Sequence, residues 1–183
     1  MTDFIQDHPD GVIVAVDQMS LYFQATMTQV WAPRGQTPTV RVATQREHVH
    51  FYGGLNVCSG HELALTLPAQ SGDMTCHFLD HVQTAYPGRA LLILWDRAKW
   101  HKGKVVRNYL AQRTHIETLH FPPGCPQLNP QEHVWERTRD AVSHNHTRTN
   151  FPALVQAFRR HLETTCFQFE WIEKYVPPIL LAR

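Results

Sequence analysis

The chain has 183 residues, 43% of them hydrophobic and 10% aromatic, which suits one packed core of ordinary domain size and argues against disorder. Seventeen Lys and Arg against sixteen Asp and Glu give a formal charge of +1, so net charge neither supports nor excludes a nucleic-acid partner. No run reaches the roughly 18 apolar residues of a membrane helix, the start lacks a signal-peptide pattern, and the four cysteines form no C-x-x-C pair. A soluble, cytoplasmic protein with reduced thiols and no membrane partner is expected.

In chain order, residues 11–17 form a continuous apolar run that stops at Asp17, the pattern of a strand buried on both faces. Residues 20–32 and 40–57 read as two further strands flanking a turn-rich segment, so the three would make an antiparallel meander. A short strand is expected at 62–67. Ser71 and Asp73 open a helix whose apolar spacing runs through Phe78, Leu79 and Val82 and stops at Pro87-Gly88. Residues 90–95 repeat the first pattern and end at Asp96. A basic helix over about 102–112 and a strand at 116–120 come next. The prolines of 121–130 exclude regular structure there. Helices are expected from Gln131 to about His144 and over 151–164. One α/β domain spanning 1–183 is the resulting expectation.

Two buried strands that each end in Asp place Asp17 and Asp96 at one edge of the sheet if the strands are parallel neighbours, because functional groups in such sheets gather at strand carboxyl ends. Facing carboxylates repel unless a proton or cation lies between them, and hard oxygen donors suit Mg²⁺ or Mn²⁺. Either Asp alone also reads as a turn or cap residue. In Asn129-Pro130-Gln131-Glu132, an N-cap Asn, a Pro at the first helical position and a Glu at the third make a capping box. That motif explains Glu132 without chemistry, although a cap alone would not require the rigid proline loop before it.

Four blocks in order resemble the DDE endonuclease domain of the mariner superfamily, in particular transposases of the insertion-sequence 630 type. They are Val16-Asp17 with Val30-Trp31-Ala32-Pro33-Arg34-Gly35-Gln36-Thr37-Pro38; Phe51-Tyr52-Gly53-Gly54-Leu55; Leu92-Ile93-Leu94-Trp95-Asp96 with Ala98 and His101; and Pro122-Pro123, Pro126, Leu128-Asn129-Pro130 with Glu132-His133-Val134-Trp135. Asp96 and Glu132 are 132 − 96 = 36 positions apart, leaving 35 residues between them, the family's usual interval. Gln18, Arg97, Cys125 and Gln127 depart from the family pattern, which usually has Glu, Asn, Ser and Asp there.

The resemblance implies an RNase H-like fold: a five-stranded mixed sheet, with a three-strand antiparallel meander and two parallel strands, flanked by helices. It implies that Asp17, Asp96 and Glu132 are catalytic and hold divalent metal, two Mg²⁺ or Mn²⁺ ions, one activating the nucleophile and one stabilising the leaving oxygen. The implied activity is that of a DNA transposase, cutting transposon ends with water and joining the freed 3′-hydroxyl to double-stranded target DNA, at TA in similar elements. Arg97, Lys99, Lys102 and Lys104 would neutralise flanking phosphates. Within the same run, Arg107 and Arg113 add to an acid-free stretch over 97–113 that also reads as a solvated helix face. His101 and Asn129 would support the site, and Trp135 is read as core.

Paired-end chemistry implies a homodimer. Members of this group carry helix-turn-helix modules before the catalytic domain, and none fits ahead of residue 12, so a separate or fused DNA-binding subunit is expected. Another RNase H-like nuclease and a non-catalytic DNA-binding or assembly descendant are the rival readings. Two fragments carry less: His144-Asn145-His146 lacks the context of the nuclease family it spells, and His48 with His50 lacks a third zinc ligand.

Overall fold

The computed structural model describes residues 1–26, 31–36, 39 and 46–170. A short helix, Thr2–Asp7 (α1), precedes the strand Val12–Tyr22 (β1). His48–Asn56 (β2) and Glu62–Leu67 (β3) follow, then the helix Gly72–Ala85 (α2) and the strand Leu91–Trp95 (β4). Lys104–Ala111 (α3), Ile116–His120 (β5), Pro130–Thr138 (α4) and Phe151–Thr164 (α5) complete the order. The strands form one sheet in the order β3-β2-β1-β4-β5. β1 is antiparallel to β2 and β2 to β3, whereas β1, β4 and β5 run parallel. This is the five-stranded mixed sheet that the resemblance implies.

Side chains alternate across a strand, so the sheet has two apolar faces, each needing a cover. Ile13 and Ala15 of β1 and Leu92 and Leu94 of β4 pack with Trp135 of α4 and Leu154, Phe158 and Leu162 of α5. Val12, Val14 and Val16, with Leu91, Ile93 and Trp95, pack instead with Phe78, Leu79 and Val82 of α2 and Val106 of α3. Continuous apolar runs in β1 and β4 follow from this two-sided burial. Phe4 and Ile5 of α1, an element the sequence pattern does not announce, join the α4/α5 face.

β1 differs from the expected pair of strands. It runs unbroken through Asp17 to Tyr22, and nine residues from Val14 to Tyr22 pair with β2. Asp17 therefore stands inside a strand rather than at its end. The meander is β1, β2 and β3, and Trp31–Gln36 adds no strand to it. The parts of the expected strands at 27–30 and 40–45 lie outside the described residues, as do Thr37 and Pro38 of the family-like block.

The proline loop contains a 3₁₀ turn at Pro126–Leu128 where none is expected, and the helix after it changes at Arg139–Ser143 to a π-helical turn. Asn129 caps α4 through its side chain, which accepts from the Gln131 amide. The capping box is not closed. Asn129's own amide donates to the Pro126 carbonyl, which leaves the Glu132 carboxylate uncommitted to the cap.

Candidate active site

Asp17 and Asp96 come together through register. Val12 of β1 pairs with Leu91 of β4, an offset of 91 − 12 = 79 that holds through Ala15 and Leu94. Continued to Asp17 it gives 17 + 79 = 96, so Asp96, just beyond the end of β4, is level with Asp17. Alternation adds the face: Asp17 shares the parity of Ile13 and Ala15, and Asp96 that of Leu92 and Leu94, all on the side covered by α4. Glu132 lies in the first turn of α4.

Burial separates the three acids. Asp17 is 8% exposed, whereas Asp96 and Glu132 are open to solvent. The Asp17 carboxyl is pushed up from 3.8 to about 8, by burial first and then by the charges of Glu132 and Asp96. The Gln18 backbone and the neighbouring Trp135 indole oppose that rise. The Trp135 N–H stands close by without completing a hydrogen bond. Asp96 is held below the usual carboxylate range, chiefly by His101, whose Nδ1 lies 2.8 Å from Asp96 Oδ1. That contact is short but poorly aligned. Asp96 Oδ1 also accepts from the Ala98 amide at 2.9 Å.

Asp96 and Glu132 line a cleft of about 400 Å³ with Arg97, Phe121, Pro123 and Asn129, and the proline loop forms its far wall. Asp17 lies outside this lining, under α4. Among the described residues, no three His, Cys, Asp or Glu side chains are gathered tightly enough to hold one ion. The acids instead feel one another's field, and Asp17 records the excess negative charge. Hard oxygen donors with surplus negative charge fit a divalent cation of the Mg²⁺ type.

A second buried group fixes where α4 begins. Gln131 accepts from the Leu55 amide at 3.0 Å and donates to Glu62 Oε1 at 2.7 Å, all in the interior. Burial raises the Glu62 carboxyl well above its usual range. Among the described residues the other Glu62 oxygen completes no hydrogen bond. Gly53 of β2, paired with Asp17, makes room for this cluster: a Cβ there would meet Gln131, Glu62 and the Trp135 ring. Sequence reasoning missed Glu62, Gln131 and Trp100. Only the acid at the head of the apolar run 62–67 hinted at any of them.

Arg97, Lys99, Lys102 and Lys104 are all exposed, and among the described residues none forms an ion pair. Arg97 donates to the Phe121 carbonyl rather than pairing with Asp96. Arg113, further along the run, is drawn to Asp80 and lies over the Tyr109 ring. His144-Asn145-His146 is a structural segment: Asn145 donates to the Thr26 carbonyl, and His146 Nε2 lies 2.9 Å from that of Phe23. His48 and His50 lie edge to face, their centroids 5.2 Å apart.

The sequence model of a family described as DDE superfamily endonuclease matches residues 12–155. A curated relative, the insertion element IS630 uncharacterized 39 kDa protein of Shigella sonnei, is 20% identical over 159 residues, covering 86% of this chain and 46% of that protein. The chain thus spans about half of that relative's length. Among solved structures, the Mos1 transposase paired-end complex with left transposon end superposes with a TM-score of 0.68 at 16% identity, covering 100% of this chain and 56% of that one. The Mos1 mariner paired end complex with Mn gives 0.64 at 15%, covering 84% and 48%. At these identities the likeness is one of fold alone, an RNase H-like sheet.

Proposed function

The chain belongs to the DDE superfamily endonuclease family, and from that premise we propose that residues 1–183 are the catalytic domain of a DNA transposase. The observation that carries this reading is the level placement of Asp17 and Asp96 on the face under α4, where burial first, and then the nearby charges of Glu132 and Asp96, raise the Asp17 carboxyl to about 8. Asp17, Asp96 and Glu132 would hold divalent Mg²⁺ or Mn²⁺, two ions by the family's pattern. Such ions activate the attacking hydroxyl and stabilise the leaving oxygen.

The chain's own residues then have distinct tasks. Asp96 and Glu132 line the open cleft and present carboxylate oxygens to it, while Asp17, buried behind them, supplies charge from below once its proton is lost. Glu132, exposed and uncommitted to the helix cap, has the freedom to close on the other two. Lys99, Lys102 and Lys104, exposed beside Asp96, would neutralise phosphates on either side of the scissile one. His101 supports Asp96 and Asn129 supports Glu132 through the helix start.

In the cutting step, water attacks phosphorus and the P–O3′ bond breaks, leaving a 3′-hydroxyl and a 5′-phosphate. In the joining step that 3′-hydroxyl attacks a target phosphodiester and displaces the target's own 3′-oxygen. Insertion at TA rests on the family resemblance alone, and a paired assembly of two copies on that resemblance and on likeness to a complex described as paired-end. Recognition of transposon ends would fall to a helix-turn-helix module, fused or separate, in keeping with the greater length of the insertion-element relative. Bacterial members of such a group would act in the cytoplasm, on the nucleoid.

A strand-joining assay tests this reading. The chain is incubated with Mg²⁺ or Mn²⁺, supercoiled plasmid, and a labelled pool of duplex oligonucleotides carrying free 3′-hydroxyl ends of randomised sequence. Label joined covalently to plasmid is expected. Cutting of an RNA–DNA hybrid with duplex DNA spared would instead indicate a ribonuclease, and no reaction on any substrate a non-catalytic descendant.

A further inference from the structure

We propose that Gln18 is a positioning residue that fixes the tautomer of His101 and thereby the orientation of the Asp96 carboxylate. The inference rests on the reading of Asp96 as a metal ligand. It begins from a donor that has no alternative: an indole N–H can only donate. Trp100 Nε1 lies 2.8 Å from Gln18 Oε1, so the amide oxygen of Gln18 faces Trp100 and its NH₂ faces the other way. That NH₂ lies 3.1 Å from His101 Nε2, which must therefore accept. A neutral ring accepting at Nε2 carries its hydrogen on Nδ1, and Nδ1 is the atom 2.8 Å from Asp96 Oδ1.

The ring has little freedom to escape this assignment. His101 is 2% exposed, its plane stacks on Trp95 at 4.7 Å and 12°, and Trp100 meets it edge-on. Asp96 Oδ1 thus has the Ala98 amide donating to it and His101 Nδ1 in short but poorly aligned contact, and among the described residues no hydrogen bond involves Oδ2. Because Gln18 follows Asp17 in β1, it points to the opposite face of the sheet, where Val16 and Trp95 lie. Consecutive residues of one strand therefore serve both acids, Asp17 directly and Gln18 through a histidine. A carboxylate at position 18 would reverse the demand, since it can only accept from Nε2–H and takes the hydrogen away from the Asp96 side of a neutral ring.

The test is ¹⁵N NMR of the histidine side chains in the metal-free full chain near neutral pH, followed by Mn²⁺ titration. For the wild type, a protonated, pyrrole-type Nδ1 and an unprotonated, pyridine-type Nε2 are expected for His101. Gln18→Glu, which brings in the residue usual in the family, keeps the size and the Trp100 contact, so a purely structural role tolerates it; we expect the ring signature to switch to Nε2–H and Mn²⁺ affinity to shift by about tenfold or more. A wild-type His101 protonated on Nε2, or Gln18→Glu with unchanged signature and affinity, overturns the inference. The wild-type spectrum decides even if the variant fails to fold. The expected signature without any Mn²⁺ affinity upholds the tautomer assignment and contradicts the metal reading instead.

Discussion

Asp17 and Gly53 are paired across β1 and β2, and the missing side chain of the glycine is what admits Gln131, Glu62 and Trp135 behind the acid. Gly53→Ala would drive a methyl into all three. Overpacking of this kind costs about 1–3 kcal/mol, and a matching loss should appear in urea unfolding.

Gln131→Ala removes the partner of the buried Leu55 amide and of Glu62 together. Each buried group left unsatisfied costs about 1–3 kcal/mol, so a loss of about 2–6 kcal/mol is expected by the same measurement. Glu62→Gln should behave oppositely. The Glu62 carboxyl is raised, so its contribution is present at low pH and declines as pH rises through its folded value. A neutral amide escapes that decline, and the variant should gain on the wild type as pH increases.

Asp17→Asn should stabilise the metal-free protein and abolish Mn²⁺ binding. At pH 8 and above the native carboxylate is charged, buried and faced by two other acids, and the amide relieves this. A gain of about 1–2 kcal/mol, or roughly 3–6 °C in Tm, is expected by calorimetry at pH 8.5. A lower Tm would contradict it.

Proton linkage follows from the same group. Its folded value of about 8 lies above the ordinary 3.8, so the unfolded chain gives up this proton first and metal-free stability falls as pH rises between those values. A cation competes with the proton. Mn²⁺ affinity should therefore climb with pH, by up to about tenfold per unit, and level off above about pH 8. Titrations in two buffers of different ionisation enthalpy should show close to one proton released at pH 7 and fewer at pH 9.

Replacing Lys99, Lys102 and Lys104 by Ala, singly and together, should weaken binding to duplex DNA evenly across sequences. Each phosphate that is no longer neutralised should lower the slope of log K against log salt by about 1. Fluorescence anisotropy at several salt concentrations reads this directly.

What the sequence made legible was whatever depends on local pattern. β5 and α5 fall at the expected residues, β4 within one of them, and Ser71 caps α2 as its spacing indicates. Asp17 was misplaced for a physical reason: an apolar run that stops at an acid looks like a strand end. The strand continues because β2 supplies its hydrogen-bond partners and the acid faces a site rather than bare core. Register is a long-range property, as is the pairing of Glu62 with Gln131, 69 residues apart. The family-like blocks marked the acids but not the buried amides that hold them. Capping Glu132 was a local expectation, and the Pro126 carbonyl displaced it.

The most direct test of the central claim is Mn²⁺-dependent nicking of supercoiled plasmid by the wild type, Asp17→Ala, Asp96→Ala and Glu132→Ala, with Mn²⁺ binding and circular dichroism measured on the same preparations. The account predicts nicking by the wild type alone, with all four proteins folded and the three variants weakened in metal binding. Nicking that persists in folded Asp96→Ala and Glu132→Ala would contradict it.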